Sequence, residues 1–550
     1  MASQAPVYHD PIFGELSRIL GLQVANAQMS FSEGVQHTIL EAIEARQAKV
    51  DSLLGAISEL RTLYNRTSPI SILPPELLTV VFLYATSDGE GNADIISISR
   101  VCRHWRDSSL QTPALWTRIL LDHPAGIEAF LERSRPLPAY IAFKTSYEPA
   151  TATLRLIGTE AHRLRSLKIK ILPMLGTRVK NIMNRVKFAA PMLEELVVEN
   201  ESALRRPNRD LETLPGPDEF SGVPSLRTLT LISAPLTYVP AGTNLLVNLK
   251  LHYTIPHPIV LFKLLQNSSQ LETLSLRGSF DRTGEGIIHH VHLSNLKTLQ
   301  IDTFPPAGIA NILSNLMMPA VMLITIQVSM DITETFELAF PVGVPEPSFG
   351  LGCLGRLQRM VLFWSAPHGL NLRAYANADD DLCTPALSIQ GINMVTEPGR
   401  RFLADWPFDA SGIQAIDICG DYFIAMDCGE HTQVERHWWL EMLQGLPELK
   451  VLRVMAMDER DAFGMIEPLS RVTLSETLCP KLETLELFDI VPASKEFAMR
   501  VYDIVAHRGV CPSDETRVLK TVELFNAGDL KGVVDTMGLP NGCDVEILQE

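Results

Sequence analysis

The alternation of apolar and polar residues changes period along this chain, and the changes mark its elements. In the first stretch apolar residues fall seven apart: Ile43, Val50, Ile57 and Tyr64 form one seam, and Ile39, Leu53 and Leu60 the other, with Arg46 breaking it. This is the pattern of a helix of about four heptads. Ser30 and Glu33 have the spacing of a capping box at its start. Pro69 ends it, because a residue before proline avoids the helical region. The helix is assigned to residues 33–66, behind a flexible stretch at residues 1–32. Its stripe permits two uses: a homodimer through residues 35–64, or a lone amphipathic helix packed on its own chain or left on the surface.

Residues 69–122 read as three short helices. Leu73-Pro74-Pro75-Glu76 opens the first, since prolines suit a first turn and Glu76 meets the positive end of the helix dipole. Leu77, Leu78, Val81 and Phe82 give it one apolar face. The run Ser87 to Asn92 breaks the helix. Ile95, Ile98, Val101, Cys102 and Trp105 mark the second, and Leu115-Trp116 follow Pro113. So short a segment has little interior, and its surplus of apolar side chains suits docking to a partner.

From Leu154 onward a third pattern, Leu-x-x-Leu-x-Leu, keeps returning. Clear copies begin at Leu164, Leu193, Leu226, Leu246, Leu271, Leu296, Leu449, Leu482 and Leu519, and weaker ones at Val321, Leu357, Ala386 and Ile413. Each reads as a short strand whose alternate residues face opposite ways: Leu229 and Leu231 inward, Thr228 and Thr230 outward. Helix-like runs lie between them, at Pro258 to Ser268, Gly308 to Met317 and around Trp438-Trp439. Strand and helix alternating at this period predict a stacked parallel sheet, an α/β solenoid; an ordinary α/β domain with Leu-rich strands is the alternative. Pro341 to Gly352 and Ala376 to Pro385 read as loops, and Asn526 to Glu550 as a cap on the last repeat.

The order of Leu73, Pro74, Glu76, Leu77, Phe82, Val101, Cys102, Trp105, Arg106, Leu115 and Trp116 resembles an F-box. A longer loop at Asp88 to Asn92 departs from that family's pattern. The copies after it resemble irregular leucine-rich repeats, and the arrangement as a whole is similar to fungal-type F-box proteins with such repeats. The Asn or Cys that usually follows each strand is mostly missing, with Ala234, Ser279 and Phe304 standing there, so an incomplete internal ladder and uneven curvature are expected. The fold expected is therefore a long helix, a helical F-box at 69–122, and an irregular leucine-rich α/β solenoid over 135–550.

The resemblance implies docking to the Skp adaptor of a Skp–cullin–F-box ubiquitin ligase and, through it, to a cullin. Adaptor contact would fall to Leu73, Pro74, Pro75, Glu76, Leu77, Leu78, Val81 and Phe82, supported by Ile95, Ile98, Val101 and Trp105. An unknown protein substrate would lie on the strand face not used for packing. The residues that read onto it are Lys168, Lys170, Thr228, Thr230, Ser275, Arg277, Thr298, Gln300, Asp302, Arg453, Thr484, Glu486 and Phe488. A scaffold that uses the F-box outside any ligase is the second expectation.

Charge and chemistry narrow the picture further. A net charge of −17 argues against nucleic acid, whose phosphates need clustered Lys and Arg. No apolar run approaches a membrane span, and the N-terminal residues lack the order of a signal peptide, so a cytoplasmic or nuclear location without membrane contact is expected. Eight scattered cysteines, none in Cys-x-x-Cys spacing, fit a reduced compartment rather than a zinc or disulfide module. His289, His290 and His292 lack an acidic or thiol companion, and Asp379 to Asp381 lack the rest of a calcium loop. No phosphate-binding glycine loop or nucleophile elbow occurs, so neither metal, cofactor nor catalysis is expected.

Overall fold

The computed structural model describes residues 33–86, 92–120, 124–145, 148–172, 190–201, 223–234, 243–254, 258–278, 290–304, 306–328, 357–365, 369–378, 385–393, 410–420, 436–457, 459–470, 478–490, 494–508, 519–525 and 544–548. The expectations for residues 1–32, for the capping Ser30, for most of the Ser87 to Asn92 run, and for Pro341 to Gly352 and Asp379 to Asp381 lie outside these. The chain divides into two compact units, Met1–Trp116 and Thr117–Glu550.

The first unit is helical. Helix α1 (Glu33–Arg66) stops three residues short of Pro69. A 3-10 turn (Pro69–Ile72) leads to α2 (Pro75–Ala85), α3 (Ala93–Val101) and α4 (Arg103–Leu110), and a second 3-10 turn (Pro113–Trp116) closes the unit. Pro75 occupies the first turn of α2, where its missing N–H costs no hydrogen bond. Cys102 divides α3 from α4: its backbone is extended, and its thiol accepts the N–H of Trp105 at 3.5 Å as a cap.

Among the described residues the second unit is built on one sheet of seventeen strands. Its first members are β1 (Arg118–Leu120), β2 (Ala139–Thr145), β3 (Leu164–Ile171), β4 (Glu195–Asn200), β5 (Thr228–Ile232), β6 (Asn248–His252), β7 (Thr273–Arg277), β9 (Thr298–Phe304) and β11 (Leu323–Val328). Each pairs in parallel with the next in this order. The pairing keeps phase, so Leu196, Leu229, Leu249, Leu274 and Leu299 form one buried row. Every clear sequence copy supplies a strand. Two residues of β8 (Val291–His292) and of β10 (Leu316–Met317) make a separate parallel pair.

The middle of the sheet departs from a plain parallel stack. Strands β12 (Arg359–Ser365), β13 (Gly369–Tyr375) and β14 (Leu387–Asn393) form an antiparallel meander. It enters the sheet in reverse, with β14 beside β11 and β12 beside β15 (Ala415–Cys419). The expected all-parallel sheet is thus corrected at β13, a strand whose signal, Leu370, Leu372 and Ala374 alternating with polar residues, lay outside the repeat pattern. Parallel pairing resumes through β16 (Val451–Met455), β17 (Thr484–Phe488), β18 (Thr521–Phe525) and β19 (Asp544–Leu548). The segment expected to cap the repeats therefore contributes one more strand.

Parallel neighbours need long crossovers, and helices supply several of them. These are α5 (Pro124–Arg133), α6 (Glu148–Thr159), α7 (Pro258–Asn267), α8 (Pro306–Ser314), α9 (Arg436–Gln444), α10 (Glu459–Ile466) and α11 (Lys495–Arg508). Leu261, Leu264 and Leu265 of α7, Trp439 and Met442 of α9, and Phe497 and Ile504 of α11 are buried and join the strand leucines in the core.

The main chain itself forms the internal ladder expected to be incomplete. Strands β5, β6, β7, β16 and β17 are each followed by a left-handed residue, namely Ser233, Tyr253, Gly278, Ala456 and Asp489. The N–H groups of Ser233, Tyr253, Gly278 and Ala456 donate to His252, Arg277, Asp302 and Phe488, the carbonyls in the neighbouring strand. Gly420 donates to Met455 in the same way at 2.8 Å. A Cβ at Gly420 would stand 2.3 Å from the Ala456 oxygen, so this close approach admits only glycine.

Candidate functional site

In the helical unit the residues read from the sequence separate into an interior and a surface. Leu78 and Phe82 are 0% and 1% exposed, and Ile95 and Ile98 are also buried. The Phe82 and Trp105 rings pack at a centroid distance of 5.0 Å, tilted by 58°. Trp116 is buried and donates its indole N–H to the Ser109 carbonyl at 2.7 Å. These side chains form the unit's own core, so Leu78, Phe82, Ile95 and Ile98 do not offer themselves to a partner.

The other half of the predicted face points outward. Leu77 is 53% and Val81 41% exposed, Val101 is exposed, and so are Pro74, Pro75 and Glu76, with Leu73 half-buried. Ile72, Val80, Leu83, Tyr84 and Leu110 join them on the surface. Sequence reading missed Val80, Leu83 and Tyr84 because they lie off the chosen stripe of α2, and Ile72 and Leu110 because they lie outside that helix. Helix α2 is apolar nearly all round, and one stripe satisfies the unit's core. The remainder is a concentration of exposed apolar side chains of the kind that marks interaction sites.

The sheet presents a second candidate surface, the outward row of each strand. Its members pair across neighbouring strands. The Lys168 ammonium meets Glu195 at 2.8 Å and Lys170 meets Glu201 at 2.7 Å. Thr228 accepts from Asn248 at 3.3 Å, and Thr230 and Thr298 are half-buried. Ser275 bonds to His252 at 2.9 Å and donates to Gln300 at 3.1 Å, but it is 3% exposed and out of reach of a partner. Arg277 lies over the Tyr253 ring at 5.1 Å and pairs with Asp302 at 3.0 Å. Burial pushes the Asp302 carboxyl upward, and Arg277 offsets only part of that. Burial, followed by Lys250 and Arg277, lowers His252 to about 4, so this ring is neutral near pH 7.

Farther along the sheet, Asp417 is buried and central. Arg359 Nε donates to its carboxylate at 2.8 Å, and Arg453 approaches it at 3.3 Å while donating through Nε to Glu486 at 2.7 Å. Glu486 is itself buried, while Thr484 and Phe488 are half-exposed. Arg359 and Asp417 escaped sequence reading because they are 58 residues apart and meet only through strand pairing. Burial, with Asp417 nearby, raises the Cys419 thiol to about 11, which keeps it protonated and unreactive.

Among the described residues no three His, Cys, Asp or Glu side chains cluster to hold a metal. His290 and His292 are both exposed. No described helix is long and apolar enough to cross a membrane. No curated protein matches the chain. Residues 70–122, which carry the exposed apolar surface of α2, match the F-box-like family model, and this F-box-like region supports a role in protein interaction.

Proposed function

We propose that the chain is the substrate-recognition subunit of a Skp–cullin–F-box ubiquitin ligase. The observation that carries this reading is α2, whose Leu78 and Phe82 fill the unit's core while Leu77, Val80, Val81 and Tyr84 stay in water. A short helix with two apolar faces and one internal core needs a second apolar surface, and F-box domains generally bind Skp1-type adaptors. The adaptor would seat on Ile72, Leu77, Val81 and Val101 and connect through itself to a cullin. The sheet would act as a leucine-rich-repeat solenoid that holds a protein substrate on its outward strand rows. No chemistry is asked of this chain: it raises the local concentration of the substrate beside the ubiquitin-carrying enzyme.

The test is co-purification of the full chain with a Skp adaptor, unaltered against Leu77→Asp/Val81→Asp. A complex that is lost in the double variant supports the reading; no complex with the unaltered chain overturns it.

A second reading rests on α1. Ile43, Val50, Leu53, Ile57, Leu60 and Tyr64 are exposed along one helix, and a homodimer through residues 35–64 would cover them, making the chain a dimeric scaffold. Light scattering on the full chain separates a dimer from a monomer, and Val50→Asp/Ile57→Asp should return a dimer to monomer.

A further inference from the structure

The outward row near the C-terminal ends of the strands distinguishes the two halves of the sheet. In the first half this row holds Ile232, His252 and Arg277, a mostly polar set. In the second half the row in register is Phe363, Cys419, Met455 and Phe488, opposite one another on four adjacent strands. All four are half-exposed, whereas Leu362, Ile418, Val454 and Leu487, one residue earlier on the opposite side, are fully buried. The row is therefore an apolar strip on the outward side of the sheet and not part of the core. At about 4.8 Å per strand it runs about 14 Å across the strands.

Charge gives the strip a direction. Beside its centre on the same face, Arg359, Asp417, Arg453 and Glu486 neutralise one another. At the β13 end, exposed Arg373 lies over the Phe363 ring at 5.1 Å, so the strip begins under a cation. At the other end half-exposed Glu523 stands opposite Glu486 on β18, and exposed Asp489 follows Phe488. From β13 to β18 the distance is about 24 Å, the reach of roughly seven residues of extended chain.

Resting on the reading of this sheet as the substrate-holding part, we propose that the strip seats a short extended segment of the substrate protein. The segment has an apolar centre lying on Phe363, Cys419, Met455 and Phe488, a carboxylate at the Arg373 end and lysine or arginine at the Glu523 end. The protonated Cys419 thiol serves here as apolar surface.

The test uses the full chain and a phage-displayed library of random twelve-residue peptides. Enriched peptides should share an apolar centre with an acid at one side and a base at the other. A synthetic copy of an enriched peptide should bind at least tenfold more weakly to Phe488→Asp, and Glu523→Lys should remove the basic residue from the selected pattern. Arg373→Glu should remove the acidic one and keep the apolar centre. Absence of enrichment, an enriched set without this pattern, or binding that Phe488→Asp and Glu523→Lys both leave unchanged overturns the proposal. Thermal unfolding confirms that each variant is folded, and Glu523→Lys serves alone if Phe488→Asp is not. Co-purification with the adaptor should be the same for all variants. Lost peptide binding with the adaptor retained supports the strip, and a failed adaptor complex with peptide binding retained bears on the ligase reading alone.

Discussion

Replacing Phe82 and replacing Leu77 should have opposite consequences, although one helical stripe carries both. Phe82 is 1% exposed and packs on Trp105 at 5.0 Å. Phe82→Ala removes a buried ring and leaves a cavity, which costs about 3–5 kcal/mol, including the loss of the aromatic pair. Hydrogen exchange read by mass spectrometry on residues 69–116 should report this as amide protection lower by two to three decades or more, at about 1.4 kcal/mol per decade. Leu77 is 53% exposed, so Leu77→Ala should change that protection by less than about 0.5 kcal/mol. Its cost should appear in binding instead. About half of the side chain leaves water on docking, roughly 1 kcal/mol, which is a loss of about fivefold in adaptor affinity by titration calorimetry. A double variant of the two would mix unfolding with lost contact, so the substitutions are measured separately. Unchanged protection in Phe82→Ala, or a large loss in Leu77→Ala, would refute the division of α2 into a core face and a docking face.

Three further outcomes follow from the sheet. Gly420→Ala forces a methyl group within 2.3 Å of the Ala456 oxygen, and a loss of about 1–3 kcal/mol is expected in chemical denaturation. Asp417→Asn strips charge from a buried carboxylate that Arg359 and Arg453 both hold, and should cost about 3–5 kcal/mol by the same measurement. His252 has a folded pKa of about 4 against an ordinary 6.5, because burial, then Lys250 and Arg277, oppose its charged form. The fold therefore favours the neutral ring. Its contribution is complete above pH 6.5 and is lost as pH falls toward 4, and denaturation midpoints compared across that window should be flatter in His252→Gln.

Local chemistry determined much of this chain from sequence alone. Each clear Leu-x-x-Leu-x-Leu copy became a strand because alternation depends only on neighbouring residues, and the weak copies at Val321, Leu357, Ala386 and Ile413 did so as well. The helix boundaries at Pro69 and Pro75 were likewise written in residues that cannot continue or begin a turn in another way, whereas the break at Cys102, inside what the sequence reads as one second helix, came only with the fold. Periodicity names an apolar face but not what covers it. Leu77 and Leu78 are adjacent in one stripe, and only the packing of the unit, in which Phe82 meets Trp105, turns Leu78 and Phe82 inward and leaves Leu77 and Val81 in water. The reversed meander of β12 to β14, the main-chain ladder where Asn and Cys are missing, and the Arg359–Asp417–Arg453–Glu486 chain arise from pairing between separate strands, with Arg359 and Asp417 as many as 58 residues apart. Register over such separations is set by the packed sheet, and no local pattern records it.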